Sequence, residues 1–148
     1  MGESVSRKIV TATLVAGTLD ILSAVVYTLA AGGTPVKMLQ FVGSAILGKD
    51  AVALGAGGAA IGLALHFAIM AVMASVFVVA ARRIPLLRAQ WLAAGLVYGI
   101  LLWAVMNLIV MPLRWPALFP HFTAIGVAQQ LFSHIVLVGV PIAWFARK

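Results

Sequence analysis

Four stretches of the chain, Ile9 to Ala31, Gly58 to Ala81, Trp91 to Met111 and Ile125 to Ala146, are apolar almost from end to end. About 20 helical residues are enough to cross the hydrocarbon core of a bilayer. Each stretch is therefore predicted to be a spanning helix. The expected fold class is an all-α membrane protein, a four-transmembrane-helix bundle forming a single membrane domain over residues 1–148. The first run follows Arg7-Lys8 and ends in Leu29-Ala30-Ala31, as a secretory signal would. It is too long for a cleavable apolar region of about 7 to 15 residues, so it reads as a retained helix.

The segments between the runs are patterned too. From Val36 to Gly48, Lys37, Gln40 and Ser44 share one helical face, with Met38, Leu39, Phe41, Val42, Ala45 and Ile46 on the others. That spacing predicts an interfacial helix over 36–48, lying along the outer surface. The loop from Pro112 to Thr123 holds Trp115, Phe119 and Phe122 among three prolines, a composition suited to a rigid lid at headgroup level. Gly55-Ala56-Gly57-Gly58 reads as a turn into the second spanning helix, and Pro85 as a break between the second and third. No internal repeat or second domain is visible.

Composition agrees with the pattern. Hydrophobic residues make up 64% of the chain and charged residues 9%, against roughly half and a quarter in a soluble domain. The first partner is the lipid bilayer. The net charge of +7 does not point to nucleic acid, because Arg7-Lys8, Arg82-Arg83-Arg88 and Arg147-Lys148 flank apolar runs, where topology signals and lipid contacts belong. Lys37, Lys49 and Arg114 alone fall in the first and third loops. The positive-inside rule then predicts a multi-pass protein with both termini cytoplasmic. With no cysteine, thiolate catalysis, disulfides, iron–sulfur clusters and zinc–thiolate sites are excluded.

Two short motifs mislead. Gly43 to Asp50 imitates a phosphate-binding loop, but Asp50 stands where the magnesium-binding hydroxyl belongs and no strand precedes it. Met1-Gly2-Glu3-Ser4-Val5-Ser6 fits an acylation pattern, which a chain already anchored by four helices does not need.

The candidate chemistry lies inside the membrane. An ionisable side chain at bilayer depth costs about 2.5 to 3.5 kcal/mol on insertion scales, so each needs a partner or a purpose. Asp20, His66 and His134 are predicted to lie about 16, 12 and 13 Å from the outer ends of their helices. Asp20 shares a stripe with Thr13, Ala16, Gly17, Ala24 and Tyr27, opposite Leu14, Leu22 and Leu29. Small and polar residues line membrane helix interfaces, so Asp20 is expected to face inward. His66 lies with Ala59, Gly62, Met70 and Met73, and His134 with Gln130, Ser133 and Pro141. On the third helix Gly95, Gly99, Trp103 and Asn107 form a seam. Tyr27, Asn107, Gln130 and Ser133 are the supporting polar residues.

Several uses fit this set. The three groups could bind a divalent metal, or relay a proton and gate a small ligand. His66 and His134, on diagonal helices, could instead grip a haem in space left by Gly62 and Gly139, as an electron-transfer subunit would. A structural role, fixing helix register within a homo-oligomer or a larger membrane complex, needs no ligand at all. Hydrolysis is disfavoured, because no Ser or Thr nucleophile has a base at matched depth outside this cluster. Pro141 predicts a kink that leaves the Leu137 carbonyl unpaired, and Met70, Met73 and Met106 read as packing filler.

His66-Phe67, Ser75-Val76-Phe77, the basic loop with Pro85, Trp91-Leu92-Ala93-Ala94-Gly95, Met111-Pro112-Leu113 and Ser133-His134 together resemble the YagU-type, DUF1440-like bacterial inner-membrane proteins. The similarity covers Gly58 to Trp144. It implies an inner-membrane location and histidines at the positions of His66 and His134, and it implies no biochemical activity. The chain departs from that pattern in carrying Asn107 rather than a histidine on the third helix, and in its first outer loop.

Overall fold

The computed structural model describes residues 4–148. The Met1-Gly2-Glu3 start of the acylation-like pattern lies outside the described residues. Five helices carry the fold: α1 (Val5–Ala30), α2 (Pro35–Leu47), α3 (Ala56–Arg83), α4 (Trp91–Arg114) and α5 (Ala124–Ala146). Among the described residues there is no strand. α1, α3, α4 and α5 are long and apolar enough to cross a membrane, so the chain is an all-α, multi-pass membrane protein built as a four-helix bundle with α2 as a shorter fifth element.

Local chemistry sets the helix starts. Ser4, Thr34 and Thr123 each accept a backbone N–H of the first turn on their hydroxyl, from Arg7, Lys37 and Gly126, supplying a partner to a donor that the helix itself leaves orphaned. Pro35 occupies the first turn of α2, where its fixed φ is already helical. Gly48 and Gly55 adopt φ of 58° and 55°, the left-handed region open to glycine, and between them the chain reverses from α2 into α3.

Packing is uneven along the bundle. At the end marked by Arg7, Arg82, Arg83 and Arg147, here the basic end, Ala12, Ala16, Ala74, Phe77, Val78, Ile142 and Ala143 close into a dry core. α1 packs on α3 and α5, and α4 packs on α5, while α3 and α4 make little backbone contact with each other. The α4–α5 contact is close because a Cβ on Gly99 would lie 2.4 Å from Ile135 Cα, and one on Gly139 would lie 2.3 Å from the Gly95 carbonyl. At the opposite end, the lid end, the helices leave a cavity of about 520 Å³.

α2 differs from its expected orientation. Its polar stripe predicts Gln40 toward water, yet Gln40 is buried and its Nε2 donates to the Gly55 carbonyl at 2.9 Å. The reason is backbone proximity: α2 lies against the first turns of α3, where a Cβ on Gly62 would stand 1.9 Å from the Leu39 carbonyl. Gly43, the first residue of the phosphate-loop lookalike, is buried in the same contact. Val36 and Ile46 are left on the exposed side.

Both α4 and α5 widen into π-helical turns, over Met106–Val110 and Ser133–Gly139. Pro112 and Pro141 follow these segments at the same offset. A proline cannot donate to the carbonyl four residues back and its ring crowds that carbonyl, and a widened turn relieves both problems. The kink expected at Pro141 is thus realised as a change of helical pitch.

Candidate functional site

Asp20, His66 and His134 line the same cavity, each from a different helix. The meeting of the first two begins at Gly17. A Cβ there would stand 2.6 Å from the Phe67 ring, so the missing side chain lets α3 settle against α1. His66 Nε2 then reaches the Gly17 carbonyl at 2.9 Å. A carbonyl only accepts, so Nε2 carries a proton and Nδ1 is the nitrogen free to gain or lose one. Nδ1 faces Asp20 Oδ2 at 3.9 Å, too far for a direct hydrogen bond and close enough for strong coupling. Their side chains are 12% and 23% exposed, so the pair is reachable from the cavity.

His134 sits in the widened turn of α5, and its Nδ1 donates to the Gln130 carbonyl at 2.8 Å, leaving Nε2 outside that bond. Asn107 repeats the arrangement in the widened turn of α4, with Nδ2 donating to the Trp103 carbonyl at 3.0 Å. Each is the second residue of its π-helical segment, and each bonds the carbonyl four residues back. Such turns frequently mark functional positions, because they re-aim side chains that a regular helix would direct elsewhere. Both residues line the cavity.

The supporting residues divide. Asn107 and Gln130 are on the cavity wall, whereas Tyr27 and Ser133 are not. Ser133 is buried and contacts Ser23 Oγ at 2.9 Å. Since Ser23 gives its single proton to the Asp20 carbonyl at 2.8 Å, Ser133 is the donor to Ser23. This chain ties α1 to α5 just beside the Asp20 backbone.

Among the described residues no group of three or more His, Asp or Glu is placed to hold a metal ion; each histidine holds a backbone carbonyl with one nitrogen, as metal-bound histidines also do. For haem, the space expected beside Gly62 and Gly139 is filled by the Leu39 carbonyl and by the backbone of Gly95 and Gly99. The glycines serve helix contact.

The sequence points to a lid over Pro112 to Thr123 but not to the contacts that hold it. Arg114, at the end of α4, donates through Nε to the Ala45 carbonyl at 2.7 Å and through its terminal nitrogen to the Ser44 carbonyl at 2.6 Å. These are unpaired carbonyls at the negative end of α2, where a guanidinium is favoured. Phe41 stacks on Trp115 with centroids 4.6 Å apart, and Phe119 lies 6.3 Å from each. His121, outside any periodic run, also reaches the cavity wall. Trp103 adds a buried indole N–H with no hydrogen-bond partner. No sequence signal marks it, because only the folded surroundings leave it unpaired. Among family models, curated proteins and solved structures alike, no match to this chain was found.

Proposed function

We propose that this protein is a non-enzymatic, ligand-binding membrane protein whose lid-end cavity takes a small molecule and exchanges protons with it through Asp20, His66 and His134. The observation that carries this reading is the convergence of three titratable groups from three helices on one cavity of about 520 Å³, within the size range of small-molecule sites. The packed core at the basic end supports binding over free conduction, since nothing continues the cavity through Phe77, Val78 and Ile142. The Asp20–His66 pair, 3.9 Å apart, sets a carboxylate beside an imidazole on the cavity wall. Intramembrane ionisable groups of this kind commonly mark ligand or proton paths.

The same proposal places the protein in a bacterial inner membrane with both termini cytoplasmic, in line with the YagU-type resemblance. The side assignment is supported by the basic bias, with Arg7, Lys8, Arg82, Arg83, Arg88, Arg147 and Lys148 toward one end against Lys37, Lys49 and Arg114 toward the other; Arg147, 3.2 Å from the Trp144 ring centroid and 4.9 Å from that of Trp91, anchors its end at the headgroup level.

Tryptophan emission tests the pocket, because Trp103 and Trp115 are on its wall. In nanodiscs, emission of the parent protein is expected to pass through a pH-dependent transition. Asp20→Asn, His66→Gln and His134→Gln should each move or flatten that transition. Identical traces for the parent and all three variants would remove the proposal.

A further inference from the structure

We infer that residues 111–123 form a lid hinged at the widened turn of α4 and latched to α2 by Arg114 and Phe41, and that releasing this latch uncovers the cavity. This rests on the reading of the cavity as a binding site.

One side of the latch is fixed. α2 lies on α3 through the close backbone contacts of Gly43 and Gly62, and Gln40 Nε2 donates to the Gly55 carbonyl at 2.9 Å. It makes little backbone contact with α4 or α5. The other side is a separate piece. Among the described residues no backbone hydrogen bond joins 115–122 to α2; Leu118 and Phe119 instead both donate to the Trp115 carbonyl at 3.0 Å. Pro116 and Pro120 stiffen the segment further. Where the lid leaves α4 it meets the π-helical turn Met106–Val110 and then Pro112, an interruption of the regular ladder of the kind at which helices bend.

Side chains bridge the two pieces. Arg114 holds the Ala45 and Ser44 carbonyls at 2.7 and 2.6 Å, and Phe41 stacks on Trp115 with Phe119 beside it. Both guanidinium bonds are exposed, so water competes for donor and acceptor and the net cost of parting them is small. Phe41, Arg114, Trp115 and Phe119 are also cavity wall, so the residues that latch the lid are among those that cover the cavity. Toward the basic end α3 and α4 are joined through the packed core and by Tyr98, whose hydroxyl donates to the Met73 carbonyl at 2.8 Å. Opening is therefore local to the lid end, where few contacts oppose it.

The test uses full-length protein in nanodiscs, where the absence of cysteine lets spin labels be placed one pair at a time. Labels at Ile46→Cys on α2 and Leu118→Cys on the lid, both exposed positions, report the separation by double electron–electron resonance. The parent is expected to give one predominant distance. Arg114→Ala should raise the share of a longer one about fivefold or more, and Phe41→Leu, which removes the stack, about two- to threefold. A second pair, Ile46→Cys with Leu86→Cys at the basic end, should stay as in the parent. Val127→Cys on the cavity wall should react with a water-soluble thiol reagent several times faster in Arg114→Ala. The inference is overturned if both variants keep the parent's lid distance, if Val127→Cys reacts no faster, or if the Ile46–Leu86 pair broadens as well, which would make Arg114 a residue of overall stability. Tryptophan emission against pH in the same samples separates the two ideas: a retained pH response with an unmoved lid rejects the latch and leaves the pocket standing, whereas a lid that opens without any pH response keeps the latch and rejects the proposed proton exchange.

Discussion

Asp20 and His66 approach each other because a third residue, Gly17, is small. Without a Cβ at position 17, Phe67 fits against α1 and brings the neighbouring His66 to the Gly17 carbonyl. The imidazole is thereby fixed in one tautomer, with its free nitrogen toward the carboxylate. Gly17→Ala should therefore act on two measurements at once. Stability in mixed micelles is expected to fall by about 1 to 3 kcal/mol, the usual range for overpacking a close contact, and the pH response of tryptophan emission should change with it. A stable variant with an unaltered response would show that the aromatic ring moves aside freely and that Gly17 positions nothing. Depth and face, both readable in the sequence, place Asp20 and the two histidines at one level and inward. They do not reveal the Gly17 contact, because a helix's own periodicity says nothing about which ring a neighbouring helix presents.

Among the elements, α4 and α5 share one device: a polar residue at the second position of a π-helical turn, bonded to the carbonyl four residues back, with a proline just beyond the turn. The prolines are visible in the sequence, and a disturbance at Pro141 follows from its missing donor. Whether the helix bends or widens is decided by packing. On α5, Ile142 and Ala143 are fully buried in the core, which holds the segment beyond the proline in place, so the mismatch is absorbed as an extra residue in the turn. Pro141→Ala removes the ring that crowds the Leu137 carbonyl and with it the reason for the widened turn. The variant is expected to lose part of its pH response as His134 rotates off the cavity wall, and an unaltered response would contradict this account of the turn.

For the whole molecule, the contrast between ends governs what the bundle can do. A packed basic end and a cavity beneath the lid make a cup, and the direction in which the cup faces follows from the charges. The absence of cysteine makes labelling straightforward. Leu118→Cys, in the exposed lid, is expected to react with a membrane-impermeant maleimide in intact cells, while Ala89→Cys, near the basic end, reacts only after lysis. The reverse pattern would turn the bundle over and place the cavity on the cytoplasmic side.

By themselves the residues determined the number of spanning helices, the presence of α2 and the candidate trio, because hydrophobic length, charge placement and the cost of intramembrane ionisation are properties of local sequence. Only tertiary structure decided the rest. It buried Gln40 where periodicity pointed it outward, filled the space beside Gly62 and Gly139 that a haem would need, brought Arg114 onto the end of α2, and left the Trp103 indole unpaired. Each of these depends on a backbone or side chain distant in sequence coming within a few ångströms, and in lipid that choice is made by close packing and hydrogen bonding between helices, which the apolar pattern of any single helix does not encode.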